Sequence, residues 1–345
     1  MSGLDLVTGG SGYFGALLRD RLRERGRRVR VFDLVDASDR PPDVELVLGD
    51  IRDRDAVRRA CEGVDVVHHN VAMVPLAKDH RAFWEVNRDG VGHLLAACAA
   101  ARVRKIVHTS SSAVLGAPDV LPVTEESVPH PVEEYGRAKL AGERLALQLA
   151  AEHGLDVSVI RPRTILGHGR LGIFQILFDW VREGRAIPVL GRGDNRYQFV
   201  HADDLADACI RAAERPGTRL YHVGAERFGT MREMLETLCR HAGTGSRVRP
   251  VPMGLAVAGM RLTAALGLSP LAPYHWIMYG RSLWFDVSRA KAELGWSARW
   301  SNDEMICQSY DWYLAHREEL ARASGGSIHR SGLAPGILDW VKRVF

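Results

Sequence analysis

The 345-residue sequence predicts an α/β fold, a doubly wound parallel sheet with a smaller C-terminal α/β lobe. Three observations support this prediction. Up to residue 162, short β-branched runs alternate with amphipathic helical patterns, which is typical of a parallel sheet covered on both faces. A glycine-rich turn follows the first run and opens a helical pattern. Beyond that point the alternation becomes irregular, which indicates a second lobe.

Six apolar runs in the first half are predicted to be buried strands, at residues 5–10, 29–33, 44–50, 64–70, 105–111 and 157–162. Residues 1–165 are therefore expected to form a nucleotide-binding domain, to which a later segment at 195–225 returns. Residues 166–320 are expected to form mainly a substrate-binding lobe, and no role follows for the tail at 321–345.

Composition narrows the class of protein. The net charge is +4 and arginines are dispersed, so a nucleic-acid partner is not expected. Five scattered cysteines without a CxxC pair, and no histidine cluster at ligand spacing, predict no metal and a reducing, cytoplasmic location. The apolar stretch 251–273 is interrupted by Arg261 and bracketed by prolines, so it is too short for a membrane span and is better interpreted as a lid or substrate-facing helix.

The glycine-rich turn is predicted to cradle a pyrophosphate. Gly9, Gly12 and Gly15 are spaced three apart between a strand and a helix, so the backbone can approach phosphates at a helix N-terminus. The second strand ends at Asp33, whose carboxylate can accept hydrogen bonds from ribose hydroxyls and would repel a 2′-phosphate. The predicted cofactor is therefore NAD rather than NADP.

Candidate catalytic residues follow the predicted fifth strand. That strand ends in "TSSSAVLG" (109–116), and Tyr135 and Lys139 lie four apart in a predicted helix, on one face. Lys is rare in this chain, at only five of 46 basic positions, which indicates that Arg would not serve at 139. A phenol beside an ammonium and a nicotinamide can take a hydroxyl proton while hydride leaves the same carbon, because both positive charges stabilise phenolate.

The ordered motifs resemble the extended short-chain dehydrogenase/reductase superfamily across residues 4–315. They are "TGGSGYFG", Asp33, "GDIRD", "HNVA", "VNRDG", "TSSSAVLG", the Tyr135–Lys139 pair, "IRPRTILG", "FVHADDLADA" and "KAELGW". The resemblance implies a Rossmann-type NAD-binding lobe and a homodimer formed through two helices per subunit. It places the catalytic Ser at Ser111, with Ser112 second.

The same resemblance implies further binding residues. Those expected at the cofactor are Gly9, Gly12, Tyr13, Phe14, Gly15, Asp33, Asp50, Ile51, Asn70, Val71, Ala72, Asn87 and Pro162. Those expected at the substrate are Met73, Ser112, Arg163, Thr164, Arg192, Arg196, Tyr197 and Arg281.

The branch of the superfamily stays open. The sequence also resembles 4,6-dehydratases, but these carry an Asp–Glu pair after the catalytic Ser or Thr, where this chain has Ser112 and Ala113. The serine-rich turn is more similar to that of nucleotide-sugar 4-epimerases. Three features argue against a sugar substrate. Tyr197–Gln198 precede "FVH", where epimerases often have a diphosphate-binding Arg, His222 replaces the usual Asn, and the 251–273 stretch is apolar. The alternatives are a 3β-hydroxysteroid-dehydrogenase-like enzyme acting on an apolar secondary alcohol and an inactive NAD-binding regulator.

Overall fold

The computed structural model describes residues 3–73, 80–170, 172–254, 258 and 280–322. Most of the apolar stretch predicted to form a lid, and all but the first two residues of the tail at 321–345, lie outside the described residues.

A seven-stranded parallel sheet forms the centre of the fold. In chain order its strands are β1 (Leu4–Thr8), β2 (Arg28–Asp33), β3 (Glu45–Leu48), β4 (Val66–His69), β5 (Lys105–Thr109), β6 (Val157–Pro162) and β10 (Arg219–Val223). Their order across the sheet is β10-β6-β5-β4-β1-β2-β3. The direction of winding reverses between β1 and β4, and a ligand crevice is expected outside the carboxyl ends of the strands at such a reversal. The predicted fold class is confirmed.

The described residues form ten α-helices, several of which cover the two faces of this sheet. In chain order they are α1 (Tyr13–Glu24), α2 (Arg54–Cys61), α3 (His80–Trp84), α4 (Gly90–Ala100), α5 (Glu134–His153), α6 (Ile173–Arg182), α7 (Ala202–Glu214), α8 (Met231–Ala242), α9 (Ser288–Leu294) and α10 (Asn302–Arg322). Apolar residues of α1 and α7 pack on one face, and those of α2, α4 and α5 pack on the other. Two cores therefore hold the sheet, one on each face, while the edge strand β3, which was expected to be buried, has no buried residue.

The later chain forms two small parallel pairs. Strand β7 (Thr164–Leu166) pairs with β9 (Phe199–His201), and β8 (Ile187–Leu190) pairs with β11 (Val248–Val251). Of the segment predicted to return at 195–225, β10 joins the large sheet beside β6, while β9 pairs outside it. In the described part of the chain, no helix has the length and apolar character that crossing a membrane requires.

Candidate active site

The glycine turn between β1 and α1 is shaped for close approach. Gly9 has a φ of +71°, and a Cβ there would lie 3.2 Å from the Val71 nitrogen, so this turn packs directly on the segment after β4. A Cβ on Gly15 would lie 2.0 Å from the Gly9 oxygen, which no side chain could tolerate. Helix α1 starts after Gly12, which supplies no side-chain cap, so its first-turn N–H groups and dipole suit a phosphate.

Asp33 stands at the end of β2, beside this turn. Its carboxylate accepts hydrogen bonds from the Ser11 nitrogen at 3.0 Å and from the Leu34 nitrogen at 2.7 Å. The two bonds fix the carboxylate at the edge of the cradle and leave oxygen lone pairs for ribose hydroxyls. An uncapped helix N-terminus, a close-packed glycine turn and a fixed carboxylate together fit an adenine dinucleotide.

Asp50 and Ile51, the two residues expected at the adenine, differ in their contacts. Asp50 is ion-paired with Arg52, whose side-chain hydrogen bond lowers the pKa of the Asp50 carboxyl. Ile51 is buried against Gly90 at the start of α4. Asp50 is thus already engaged by the chain, while Ile51 supplies an apolar surface.

Asn87 lies in a π-helical turn (Glu85–Asp89) that leads into α4. Both polar atoms of its side-chain amide bond to the backbone of Met73: Oδ1 accepts from the Met73 nitrogen and Nδ2 donates to the Met73 oxygen, both at 3.1 Å. We expected Asn87 at the cofactor. The structure shows it holding the backbone that follows Asn70, Val71 and Ala72, and its place at the cofactor stays a prediction.

Three consecutive serines after β5 face three different environments. The Ser110 hydroxyl donates to Glu143 at 2.8 Å, and Ser112 is buried at the start of a 3₁₀ turn (Ser112–Leu115). The Ser111 hydroxyl caps this turn by accepting from the Ala113 nitrogen at 3.1 Å, and it lies near enough to the Tyr135 phenol to lower the pKa of that phenol. Of the three serines, Ser111 is therefore the one whose hydroxyl lies near Tyr135, the predicted base.

Helix α5 is seated firmly at its first turn. The Glu133 carboxylate caps it, accepting from the Tyr135 nitrogen at 2.8 Å and the Gly136 nitrogen at 2.7 Å. A Cβ on Gly136 would lie 2.5 Å from the Ala113 oxygen, so the helix start rests on the backbone of the serine turn. One turn later the Lys139 ammonium donates to the Thr109 oxygen at 2.8 Å. The chain thus brings Ser111, Tyr135 and Lys139 together, as predicted.

Burial dominates the protonation of this group. It raises the pKa of the Tyr135 phenol to about 12, and the Ser111 hydrogen bond opposes this rise. Burial also lowers the pKa of Lys139 to about 8, while the charge of Glu143 acts in the opposite direction. The expected near-neutral phenol is therefore not produced by the chain alone. Lowering the pKa of Tyr135 requires the positive charge that a bound oxidised nicotinamide supplies.

A buried ion pair that sequence reasoning missed lies behind Lys139. Glu143 accepts from Arg161 of β6, through Nε at 3.0 Å and through Nη2, and both side chains are only 3% exposed. Arg161 also contacts His222, whose ring stacks on Phe285. Two signals could have identified the pair: Glu143 falls at the same helical spacing after Lys139 as Lys139 after Tyr135, and Arg161 interrupts an apolar strand.

Arg163 follows β6 and is buried. Its guanidinium lies 4.6 Å from the centroid of the Tyr197 ring and 5.3 Å from that of Phe285, and its Nε donates to the Gln198 oxygen at 3.1 Å. Both Nη atoms lack a hydrogen-bond partner in the described part of the chain. The Thr164 hydroxyl and the Tyr197 phenol are 3.0 Å apart, so three residues predicted at the substrate form one cluster.

The other arginines predicted at the substrate lie at the surface. Arg192 is 86% exposed and pairs with Asp194. Arg196 is exposed, with its guanidinium 5.0 Å from the ring centroids of both Phe228 and Trp284. Arg281 is also exposed, and its backbone oxygen accepts from Asn195. These three arginines are exposed, whereas Arg163 is buried.

The one group in the described residues with metal-ligand geometry is His168, His201 and Asp203. His201 is already satisfied, since Nδ1 accepts from the Asp203 nitrogen at 3.1 Å and Nε2 bonds to Gln308 at 2.6 Å. Asp203 is ion-paired with Arg21 at 2.8 Å. His201 and Asp203 are thus already bonded to other residues of the chain, and we do not interpret the group as a metal site.

Fold and site define a dinucleotide-dependent enzyme of the Rossmann type. The profile of the NAD dependent epimerase/dehydratase family matches residues 6–224, and the chain belongs to this NAD-dependent family.

Among relatives, the chain is 52% identical to the uncharacterized protein y4nG of Sinorhizobium fredii over 96% of this chain and 84% of that protein. It is 28% identical to a UDP-glucose 4-epimerase of Streptomyces lividans over 92% and 98% of the two chains. It is also 28% identical to a 3 beta-hydroxysteroid dehydrogenase/Delta 5-->4-isomerase of Mycobacterium tuberculosis, over 91% of each.

Two solved structures share the fold. UDP-glucose 4-epimerase of Thermotoga maritima with UDP-glucose aligns with a TM-score of 0.76 at 22% identity, over 91% of this chain and 99% of that one. MoeE5 in complex with UDP-glucuronic acid and NAD aligns with a TM-score of 0.74 at 25% identity, over the same shares of the two chains. The chain is therefore an NAD-dependent enzyme of the epimerase and dehydratase type.

Proposed function

We propose that the protein is an NAD-dependent nucleotide-sugar epimerase or oxidoreductase that oxidises a secondary sugar hydroxyl, at C4, with Tyr135 as the base. The observation that carries the proposal is the seating of the first turn of α5 on the serine turn, which brings Tyr135 and the buried Lys139 beside Ser111. The relatives and solved structures that act on or bind UDP-sugars support the substrate class.

In this proposal each residue of the chain has one task. NAD, when bound, accepts hydride from the carbon that bears the hydroxyl. Tyr135 takes the hydroxyl proton, and Ser111 donates a hydrogen bond that orients the substrate oxygen. Lys139 is fixed by the Thr109 oxygen, holds the nicotinamide ribose and adds positive charge beside Tyr135.

The two residues directly after Ser111 favour epimerisation over elimination. Ser112 is buried at 1% exposure and Ala113 has no ionisable group, so neither supplies the Asp–Glu pair associated with 4,6-dehydratases. Oxidation, rotation of the keto sugar and return of hydride require no further acid or base. The reaction therefore fits the ionisable groups that the site contains.

A second candidate is an enzyme acting on an apolar secondary alcohol. The specific observation in its favour is the likeness to the mycobacterial hydroxysteroid dehydrogenase over 91% of this chain. The proton and hydride chemistry would be the same, so only the substrate separates the two. An inactive regulator is disfavoured because Ser111, Tyr135 and Lys139 are all present. Tyr135 and Lys139 lie on one helix, which packs on the turn that contains Ser111.

Thermal unfolding of the NAD-loaded protein with UDP, dTDP, GDP, CDP and ADP tests the substrate class. A ligand that binds only the folded state raises the melting temperature, so one nucleotide should produce a clear shift. No shift with any of the five would contradict a nucleotide-sugar substrate. NADH release would then be followed with hydroxysteroid-like and 3-hydroxy-acid substrates.

Tyr135→Phe tests the chemistry separately from the substrate class. Removing the phenol oxygen should lower turnover by roughly 10²–10⁴-fold, as expected for a lost general base, with NAD affinity nearly unchanged. Retention of most of the activity by this variant would show that Tyr135 is not the base.

We also propose a cytoplasmic homodimer formed through two helices per subunit. All five cysteines are free thiols and four of them are buried, which supports a reducing location. Light scattering of the purified protein tests the dimer, and a monomeric mass would contradict it.

A further inference from the structure

Arg163 carries a buried positive charge that the described chain does not neutralise. The side chain is 1% exposed, and both Nη atoms lack a partner in the described part of the chain. Arg161, two residues earlier, is equally buried but faces the Glu143 carboxylate. A buried cation without an anion is costly, so the contrast between the two arginines points to a missing anionic partner for Arg163.

The long segment that precedes Phe285 in the sequence does not supply that anion. Between Glu236 and Asp286 the sequence contains no Asp or Glu at all. The same segment contains five arginines: Arg240, Arg247, Arg249, Arg261 and Arg281. The segment therefore contains arginines and no carboxylate that could pair with Arg163.

The position of Arg163 connects it to the proposed reaction centre. It lies one residue beyond β6, and β6 pairs with β5, whose end leads into Ser111. The Ser110 nitrogen donates to the Ile160 oxygen at 2.7 Å, so the two strands leave the sheet side by side. Ligands of parallel α/β sheets bind at this edge.

The guanidinium is also held in a fixed orientation. Two aromatic rings and the Gln198 carbonyl use its faces and its Nε, and these contacts leave the two Nη groups as the remaining donors. A planar fork with two free N–H edges matches a carboxylate or a phosphate. The positive charge of Arg163 also contributes to lowering the pKa of the neighbouring His222.

We propose that Arg163 is a specificity-determining residue that binds an anionic group of the substrate through its Nη atoms. The inference rests on the proposed function and adds the chemistry that selects the substrate. Two sources share this chemistry: the diphosphate of a nucleotide sugar, and a carboxylate on the oxidised ring or alcohol.

Calorimetric titration of the NAD-loaded protein with UDP, UDP-glucose and UDP-glucuronate tests the proposal. Arg163→Met removes the charge and keeps an unbranched side chain, and Arg163→Lys keeps the charge without the fork. Arg227→Met is the matched control, because Arg227 is 62% exposed and pairs with Glu304. Circular dichroism and NAD binding verify that each variant is folded.

The three ligands separate the two sources. If the diphosphate is the partner, Arg163→Met should bind all three at least about tenfold more weakly, with Arg163→Lys intermediate and the control unchanged. If the carboxylate is the partner, only UDP-glucuronate should lose this affinity. Equal binding of all three ligands by Arg163→Met and the wild type would overturn the inference and leave the proposed function standing.

Failure of the proposed function gives a different pattern. If no uridine nucleotide binds the wild type, the nucleotide-sugar assignment fails, and melting shifts with sodium pyrophosphate and 3-hydroxybutyrate decide the inference. These shifts are measured against sodium chloride at equal ionic strength. A shift in the wild type that Arg163→Met lacks would sustain the role of Arg163, and equal shifts or none would refute it.

Discussion

Replacing Glu143 by Gln should reveal how much the buried pair behind the site contributes. The change keeps the shape of the side chain and removes its charge, leaving Arg161 buried at 3% exposure without an anion. Breaking a buried ion pair by neutralising one partner costs about 3–5 kcal/mol. We therefore expect the free energy of unfolding to fall by about this amount in urea titrations monitored by circular dichroism.

A matched exposed pair provides the control. Arg58 and Glu62 lie 3.3 Å apart on α2, with side chains 61% and 62% exposed. Glu62→Gln should change the free energy of unfolding by less than about 0.5 kcal/mol, because exposed pairs are solvated. The double variant Glu143→Gln/Arg161→Met should recover much of the loss, since it leaves no uncompensated charge. A loss below about 1 kcal/mol, or no recovery, would refute the reasoning.

The same substitution should alter the pH dependence of activity. Glu143 raises the pKa of Lys139, which burial holds at about 8. Without that negative charge the pKa of Lys139 falls, so the ammonium loses its proton at lower pH. The alkaline limb of the pH–rate profile should therefore move to lower pH, and an unmoved limb would mean that the charge state of Lys139 does not control the rate.

Three further predictions concern the cofactor and the sheet. Gly15→Ala should abolish NAD binding, because a Cβ there meets the Gly9 oxygen at 2.0 Å, whereas Gly92→Ala meets only the end of Leu145 at 3.2 Å and should bind NAD normally. Asp33→Ala should relax the preference for NAD over NADP in binding titrations, and an unchanged preference would exclude Asp33 as the ribose ligand. The free energy of unfolding should fall as the pH is lowered from 6.5 to 4, because histidines of the unfolded chain bind protons in this range while buried histidines of the folded chain do not. At pH 5 the loss should be about 2 kcal/mol for each histidine that burial keeps neutral. Three of these histidines are His68, with a pKa of about 4, and His69 and His222, with pKa values of about 3, and burial also lowers the pKa of His108. Urea titrations at pH 7.5 and 5 would check this, and equal stabilities would contradict it.

Features that depend on local sequence were predictable. The predicted strands have the period and composition of buried β structure, and all six correspond to strands of the sheet. The Tyr135–Lys139 spacing and the glycine turn were also readable, because one helix or one turn sets their geometry.

Features that depend on pairing between distant segments were not predictable. The sequence marks Glu143 and Arg161 as unusual one by one, but it does not show that they pair, because α5 and β6 meet only through tertiary packing. For the same reason the sequence did not show that Asn87 is engaged by Met73, or that β9 pairs with β7 outside the large sheet.

The seating of α5 on the serine turn has a consequence for how this scaffold can change. Gly136 packs on the Ala113 backbone and Glu133 fixes the helix start, so the proposed reacting groups are anchored by main-chain contacts. The cluster around Arg163 is instead assembled from side chains of segments that come much later in the chain. In the proposed site, substrate preference and reaction chemistry thus depend on different segments of the chain, and libraries that vary Tyr197 and Phe285 should yield new selectivities without changing the proposed catalytic residues.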